Sequence, residues 1–191
     1  MSSRLAPAAR KLVAAALRMG SRQKSSGGKV EAMRAVAIPQ PPVHVRGCGM
    51  ATALAASTFP PDDFWREPMR KAAATSFRSA EASHDDISAL MIYDNFTPTV
   101  LFSLEGFGYC DEGEGGSFAA EGHLALGARY PANTSGGHLS ESYMQGWALN
   151  LEAVLQIRGT CGARQVKDCA FAHYMAAAPV VTSIIYGKDP S

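Results

Sequence analysis

Apolar positions along this chain change period from segment to segment, and the changes mark its elements. Residues 89–93, Ala-Leu-Met-Ile-Tyr, form an unbroken apolar run between the polar loop of residues 84–88 and Asp94, which is the pattern of a strand buried on both faces. From Phe96 the spacing lengthens. Val100, Leu101, Leu104 and Phe107 recur at helical intervals, and Gly106 and Gly108 supply the stop. A helix is also predicted over residues 140–158, with Leu149, Ala153, Leu155 and Ile157 as its core stripe and Gly159 at its end. Another, over residues 62–79, carries Pro68 near its start. Short strands are predicted at residues 43–46, closed by a turn at Gly47-Cys-Gly49, and at residues 169–173 and 180–186. Residues 112–116 and 121–122 form a glycine-rich excursion, and residues 133–137 a turn. Strands interleaved with helices in this order predict a layered α/β domain.

Length and charge sharpen that outline. At 191 residues and 47% hydrophobic, the chain can bury one sizeable core. The formal charge of +1 conceals an asymmetry, because residues 1–37 hold eight Lys or Arg and a single acid, Glu31. We therefore divide the chain into a basic, flexible arm over residues 1–37 and a domain over residues 38–191. Within the arm, residues 6–19 can form a short helix and residues 21–29 read as a linker. Its Arg, Ala and Ser content would suit an organellar transit peptide, but a solvated arm is the simpler reading. The most apolar window, residues 170–186, is broken by His173 and Pro179 and is too short to span a membrane. The expectation is a cytoplasmic protein without a transmembrane segment and without a nucleic-acid partner.

Four cysteines, Cys48, Cys110, Cys161 and Cys169, contain no Cys-x-x-Cys pair, which points to free thiols in a reducing compartment and to no metal site. The glycine-rich segments match neither a dinucleotide fingerprint nor a phosphate-binding loop, which argues against nucleotide hydrolysis.

Two tyrosines stand where chemistry could occur. Tyr93 ends the apolar strand just before a helix, where open α/β sheets place their ligands and where a phenol can donate to a developing oxyanion. The alternative is a core aromatic whose hydroxyl is satisfied by backbone. Tyr143 follows a loop in which Asn133, Gly136 and Gly137 allow close backbone approach to a ligand. At a predicted helix N-terminus beside Glu141 and Ser142, its phenolate would be favoured and could act as a base. A partly exposed helix residue is the alternative. His138 and His173 lie nearest these turns, and a satisfied or exposed histidine is the default for each. Glu112 and Glu114 read as a solvated loop.

From about Pro41 to Gly187 the chain resembles the C-terminal half of the thiolase superfamily, in the branch of lipid-transfer proteins and sterol-carrier-protein-X-type thiolases. The resemblance rests on Ile92-Tyr-Asp-Asn-Phe-Thr97, Gly113-Glu-Gly-Gly-Ser-Phe118, Asn133-Thr-Ser-Gly-Gly137 and Glu152-Ala-Val-Leu-Gln-Ile-Arg-Gly159. It implies a layered α-β-α unit with a mixed sheet, one half of a five-layered body. In true thiolases an Asn-Glu-Ala-Phe and a Gly-His-Pro motif build the oxyanion hole, and a late Cys-x-Gly-Gly-Gly supplies the acid/base. Here the first aligns with Tyr93-Asp-Asn-Phe96 and the second with Ser142-Tyr143-Met144. The third aligns with residues 173–178, which hold no cysteine.

Tyrosines at the first two positions are similar to those of the steroid side-chain aldolases of this branch. The resemblance implies Tyr93 and Tyr143 as the catalytic pair for retro-aldol cleavage of a β-hydroxyacyl-CoA, with Asn133, Gly136, Gly137 and His138 lining the substrate and coenzyme A site. It implies no cofactor beyond coenzyme A as part of the substrate. It also implies that an N-terminal thiolase half, a second copy of the chain, or an OB-fold and zinc-ribbon protein completes the assembly. An acetyl-CoA acetyltransferase or other thiolase-type acyltransferase, and a non-catalytic lipid-binding or assembly module, are the competing readings.

Overall fold

The computed structural model describes residues 40–52, 65–141, 144–178 and 180–188. They fall within the unit Pro39–Ser191. The predicted helix at residues 6–19, the linker at 21–29, the first residues of the helix expected from Asp62, and Tyr143 itself lie outside the described residues.

Four strands form one mixed sheet: β1 (His44–Thr52), β2 (Ala89–Ile92), β3 (Phe171–Ala176) and β4 (Val180–Gly187), in the order β1-β4-β3-β2. β4 runs antiparallel to both its neighbours, and β2 runs parallel to β3. Helices α1 (Arg66–Ala80), α2 (Thr97–Gly106), α3 (Gly115–Ala120) and α4 (Trp147–Arg158) cover it. On one face Met69, Ala72, Phe77 and Ala80 of α1 pack with Leu104 of α2 and with Leu90, Ile92, Val181 and Ile185 of the sheet. On the other, Leu149, Ala153 and Ile157 of α4 pack on Ala89, Met91, Ala172 and Tyr174. Alternate residues of β2 thus feed opposite cores, as the strand's two-residue period requires, and the architecture is a layered α-β-α unit.

β2 is buried at every position, as its unbroken apolar run predicted. β1 departs from expectation. Instead of turning at Gly47-Cys-Gly49, the strand continues to Thr52, pairing Cys48 with Ile184 and Gly49 with Ser183 after a bulge near Val45. The glycines are there for packing. A Cβ at Gly47 would run into the backbone of Ser76, and one at Gly49 into that of Ala72, so their absence lets α1 lie directly on the strand.

The last helix also starts later than predicted, at Trp147 and not near Ser140. Gln145 and Gly146, both inside the predicted span, have positive φ, outside the right-handed helical region. The glycine-rich excursion includes the short α3, anchored where the Gly115 N–H donates to Glu105 Oε1 at 3.1 Å.

Candidate functional site

The carboxyl end of β2 is extended by side chains. Residues 131–133 run beside it, with the Leu90 N–H donating to the Pro131 carbonyl and the Asn133 N–H to the Leu90 carbonyl, each at 2.9 Å. Asn133 then turns into the left-handed region at φ 45°. Its amide continues the ladder in place of backbone. Oδ1 accepts the Ile92 N–H at 2.7 Å and Nδ2 donates to the Ile92 carbonyl at 2.9 Å. Asparagine tolerates this conformation and carries one donor and one acceptor in the required geometry.

Tyr93 follows at once, half-buried, its N–H donating to the Met175 carbonyl at 2.8 Å. Asp94 comes next, and its carboxylate is only 3% exposed. It accepts the backbone N–H of His138 at 2.9 Å and, more weakly, that of Leu139 at 3.5 Å. A Cβ at Gly137, where φ is +67°, would collide with this carboxylate. The close approach that Gly137 permits is therefore to Asp94. Gly136, at φ +104°, is exposed beside it.

His138 is buried against these elements. Its Nε2 accepts the Gly146 N–H at 2.8 Å, and its ring meets that of Tyr93 edge to face, with centroids 4.9 Å apart at 77°. Gly146 has φ +91° and lies so close to the Tyr174 hydroxyl that a Cβ could not fit. Its carbonyl accepts the Asn150 side-chain N–H at 2.7 Å, and Asn150 Oδ1 in turn accepts the Tyr186 hydroxyl at 2.8 Å. Burial pushes the Tyr174 phenol up to about 12, so it is a proton donor throughout the ordinary pH range.

A second cluster fixes the loop between Asn133 and Gly137. Glu152, buried on α4, accepts from the Thr134 hydroxyl at 2.8 Å, from the Gln156 amide at 3.2 Å and from Arg164 at 3.1 Å. Burial opposes its charge, but these donors together hold its carboxyl below the usual glutamate range.

Of the residues expected at the site, Tyr93, Asn133, Gly137 and His138 are gathered at the end of β2, Gly136 is adjacent, and Tyr143 lies outside the described residues. The amide of Asn133 is engaged with Ile92, so any influence on a ligand passes through the strand end. Because the helix begins at Trp147, its N-terminus is not near Ser140 as predicted, and the position of Tyr143 is four residues before it in sequence. Sequence reasoning missed Asp94, Glu152 and Tyr174. The sole signal for Asp94 was an acid directly after a strand-end tyrosine.

His173 is in the interior, not at this site. Among the described residues no group of three or more His, Cys, Asp or Glu could hold a metal ion, and no helix is long and apolar enough to cross a membrane. Cys48, Cys110, Cys161 and Cys169 are free thiols, and burial pushes Cys110 and Cys161 up to about 11 and Cys169 to about 12. None of these three is a thiolate at neutral pH.

The outer face of α4 and the loops near it are apolar. Trp147 is 71% exposed and Leu151 59%, one turn apart, near in sequence to exposed Leu139 and Met144. The helix is thus apolar on its outer side as well as on the side that packs against the sheet.

A family model described as thiolase C-terminal domain-like matches residues 51–185. A steroid side-chain-cleaving aldolase of Thermomonospora curvata is 34% identical over 176 residues, 87% of this chain and 45% of the relative. A 17-hydroxy-3-oxo-4-pregnene-20-carboxyl-CoA lyase of Mycobacterium tuberculosis is 44% identical over 75 residues, 39% of this chain and 19% of the relative. Among solved structures, an Ltp2-ChsH2(DUF35) aldolase superposes with a TM-score of 0.72 at 30% identity, covering 80% of this chain and 41% of that one. The chain spans less than half the length of each of these relatives.

Proposed function

Because the chain belongs to the thiolase C-terminal domain-like family, we propose that it forms the C-terminal half of an aldolase that cleaves a β-hydroxyacyl-CoA of lipid or sterol side-chain type. The observation that carries the reading is Tyr93, held at the carboxyl end of β2 by the Met175 carbonyl and the T-shaped contact with the His138 ring. In such a reaction a base removes the β-hydroxyl proton and the Cα–Cβ bond breaks. A carbonyl compound leaves, and the thioester enolate that remains is protonated at its α-carbon. The chemistry needs a base and an enolate stabiliser, and no covalent nucleophile. Tyr93 and Tyr143 are the two groups assigned to these roles, with Asn133, Gly136, Gly137 and His138 forming the wall. Coenzyme A enters as part of the substrate, and the reading needs no further cofactor.

An N-terminal thiolase half is the partner proposed for the apolar outer face of α4. The likeness to the Ltp2-ChsH2(DUF35) aldolase supports a DUF35-type protein as a second partner. Acyl transfer is the weaker reading, since Cys110, Cys161 and Cys169 are held protonated by burial and Cys48 is on β1, at the opposite edge of the sheet from β2.

The test is co-expression with a thiolase N-terminal half and assay on a β-hydroxyacyl-CoA. The complex should release the carbonyl product and the shortened acyl-CoA, and Tyr93→Phe and Tyr143→Phe should each lower kcat by about 10²- to 10⁴-fold, the usual worth of a general acid or base. Complex formation without turnover would leave a binding or assembly module. Turnover unchanged in both variants would remove the tyrosines from the chemistry.

A further inference from the structure

We infer that His138 is a positioning residue, acting as a neutral Nδ1–H imidazole that holds Tyr93 and the entrance to α4 in register with one another. The inference deepens the aldolase reading and rests on it only for its kinetic consequence.

The geometry determines the proton. A backbone N–H can only donate, so the 2.8 Å contact from the Gly146 N–H requires a bare Nε2. The ring proton is therefore on Nδ1, and an imidazolium, with a proton on each nitrogen, could not make the contact at all. Both ends of the residue are tied down. Its backbone N–H is held by Asp94, which directly follows Tyr93, and its ring stands edge-on to Tyr93. Gly146, at the other end, is fixed by Asn150 through its carbonyl and by the Tyr174 hydroxyl against its Cα. One imidazole thus links the end of β2 to the first turn of α4. The segment it bridges, residues 138–146, carries Tyr143 in sequence.

Two properties of the ring can be separated by substitution. Gln at 138 places an amide oxygen where Nε2 accepts, keeping the link to Gly146 without an aromatic edge. Phe keeps the edge against Tyr93 and removes the acceptor. In the wild-type chain, long-range ¹H–¹⁵N spectra of the imidazoles should report the Nδ1–H tautomer for His138, and the Gly146 amide should exchange slowly. His138→Gln should keep that protection, and His138→Phe should exchange at Gly146 at least about 10-fold faster while the β-sheet amides stay protected.

In the completed enzyme, His138→Phe should lower kcat by about 10- to 100-fold with KM changed by less than about threefold, the size expected of a misplaced catalytic group. His138→Gln should recover most of that loss. An Nε2–H tautomer in the wild type overturns the inference without any variant, as does equal Gly146 protection in the Gln and Phe proteins. If no form of the enzyme turns over, the aldolase reading fails, and the tautomer and amide exchange alone decide whether His138 links the two elements.

Discussion

His138 and His173 are both buried histidines with both ends of the residue engaged, yet they sit in opposite kinds of environment. His173, on β3, is at the centre of a closed chain. The Ser76 hydroxyl donates to the Ala73 carbonyl at 3.0 Å, which spends its one proton. Ser183 must then donate to Ser76 across 2.5 Å, His173 Nε2 to Ser183 at 2.7 Å, and Tyr109 to His173 Nδ1 at 2.6 Å. Each proton is used once, and the ring carries its hydrogen on Nε2, the tautomer opposite to that of His138.

Phe77, Phe107 and Tyr109 surround His173. Burial, with a smaller contribution from His84, pushes it down to about 3. The His138 cluster is instead built on backbone groups at turns with positive φ, and exposed Leu139, Met144 and Trp147 lie close to it in sequence. One network joins side chains within a shell of aromatic rings, whereas the other ties loop backbone together beside exposed apolar residues, the kind of region where loops carry binding groups.

The comparison can be broken most forcefully at His173. His173→Leu has similar volume but strands the Tyr109 hydroxyl without its acceptor and takes one donor from Ser183, whose own hydroxyl still bonds Ser76. The loss is about 1–3 kcal/mol for the stranded Tyr109 hydroxyl, with a smaller amount from Ser183 on top, to be read from urea unfolding. A loss under about 1 kcal/mol would mean that the closed chain is not what holds α1, β3 and β4 together.

Acid should act on the same residue. The unfolded histidine titrates near 6.5 and the folded one near 3, so between these values the unfolded chain binds a proton that the native one refuses. Stability from this group is whole above about pH 6.5 and falls as pH drops, by about 1.4 kcal/mol per pH unit. Urea midpoints measured at pH 7, 6 and 5 should show the decline in the wild type and a shallower one in His173→Leu.

At the site end, Asn133→Ala strips the Ile92 N–H and carbonyl of their partners and should cost about 1–3 kcal/mol. Amide exchange should localise the effect to the end of β2, leaving Ser183 and His173 protected. Smallest of all should be Asp94→Asn, about 1 kcal/mol or less in stability, because one oxygen still accepts the His138 N–H. Its signature should be a shifted Tyr93 ring resonance. A change spread through the core would merge the two networks into one.

The elements that proved legible were those set by local pattern. β2 and α2 lie where the apolar run and the helical spacing placed them, and Gly159 ends α4 in the left-handed conformation expected of a terminal glycine. Gly47 and Gly49 were misread as a turn because glycine has the same local appearance in a bend and beneath a helix. What distinguishes the two is the backbone of Ser76 and Ala72, far along the chain. The start of α4 was misplaced for a similar reason. Residues 138–146 are compatible with a helix in composition, but Asp94 and His138 hold their ends in turns. Asp94 and Glu152 escaped notice because a charged residue reads as solvated until its long-range donors, the His138 N–H and the Thr134 hydroxyl, are seen.

By itself, then, the sequence determined the alternation of strand and helix and a tyrosine at a strand end, since both depend on side-chain type over a few residues. Only the tertiary structure decided which glycines turn and which pack, which histidine is sealed and which is linked to a loop, and which nitrogen of each carries the proton. Those outcomes depend on partners brought together across tens of residues, whose hydrogen-bonding direction no local pattern contains.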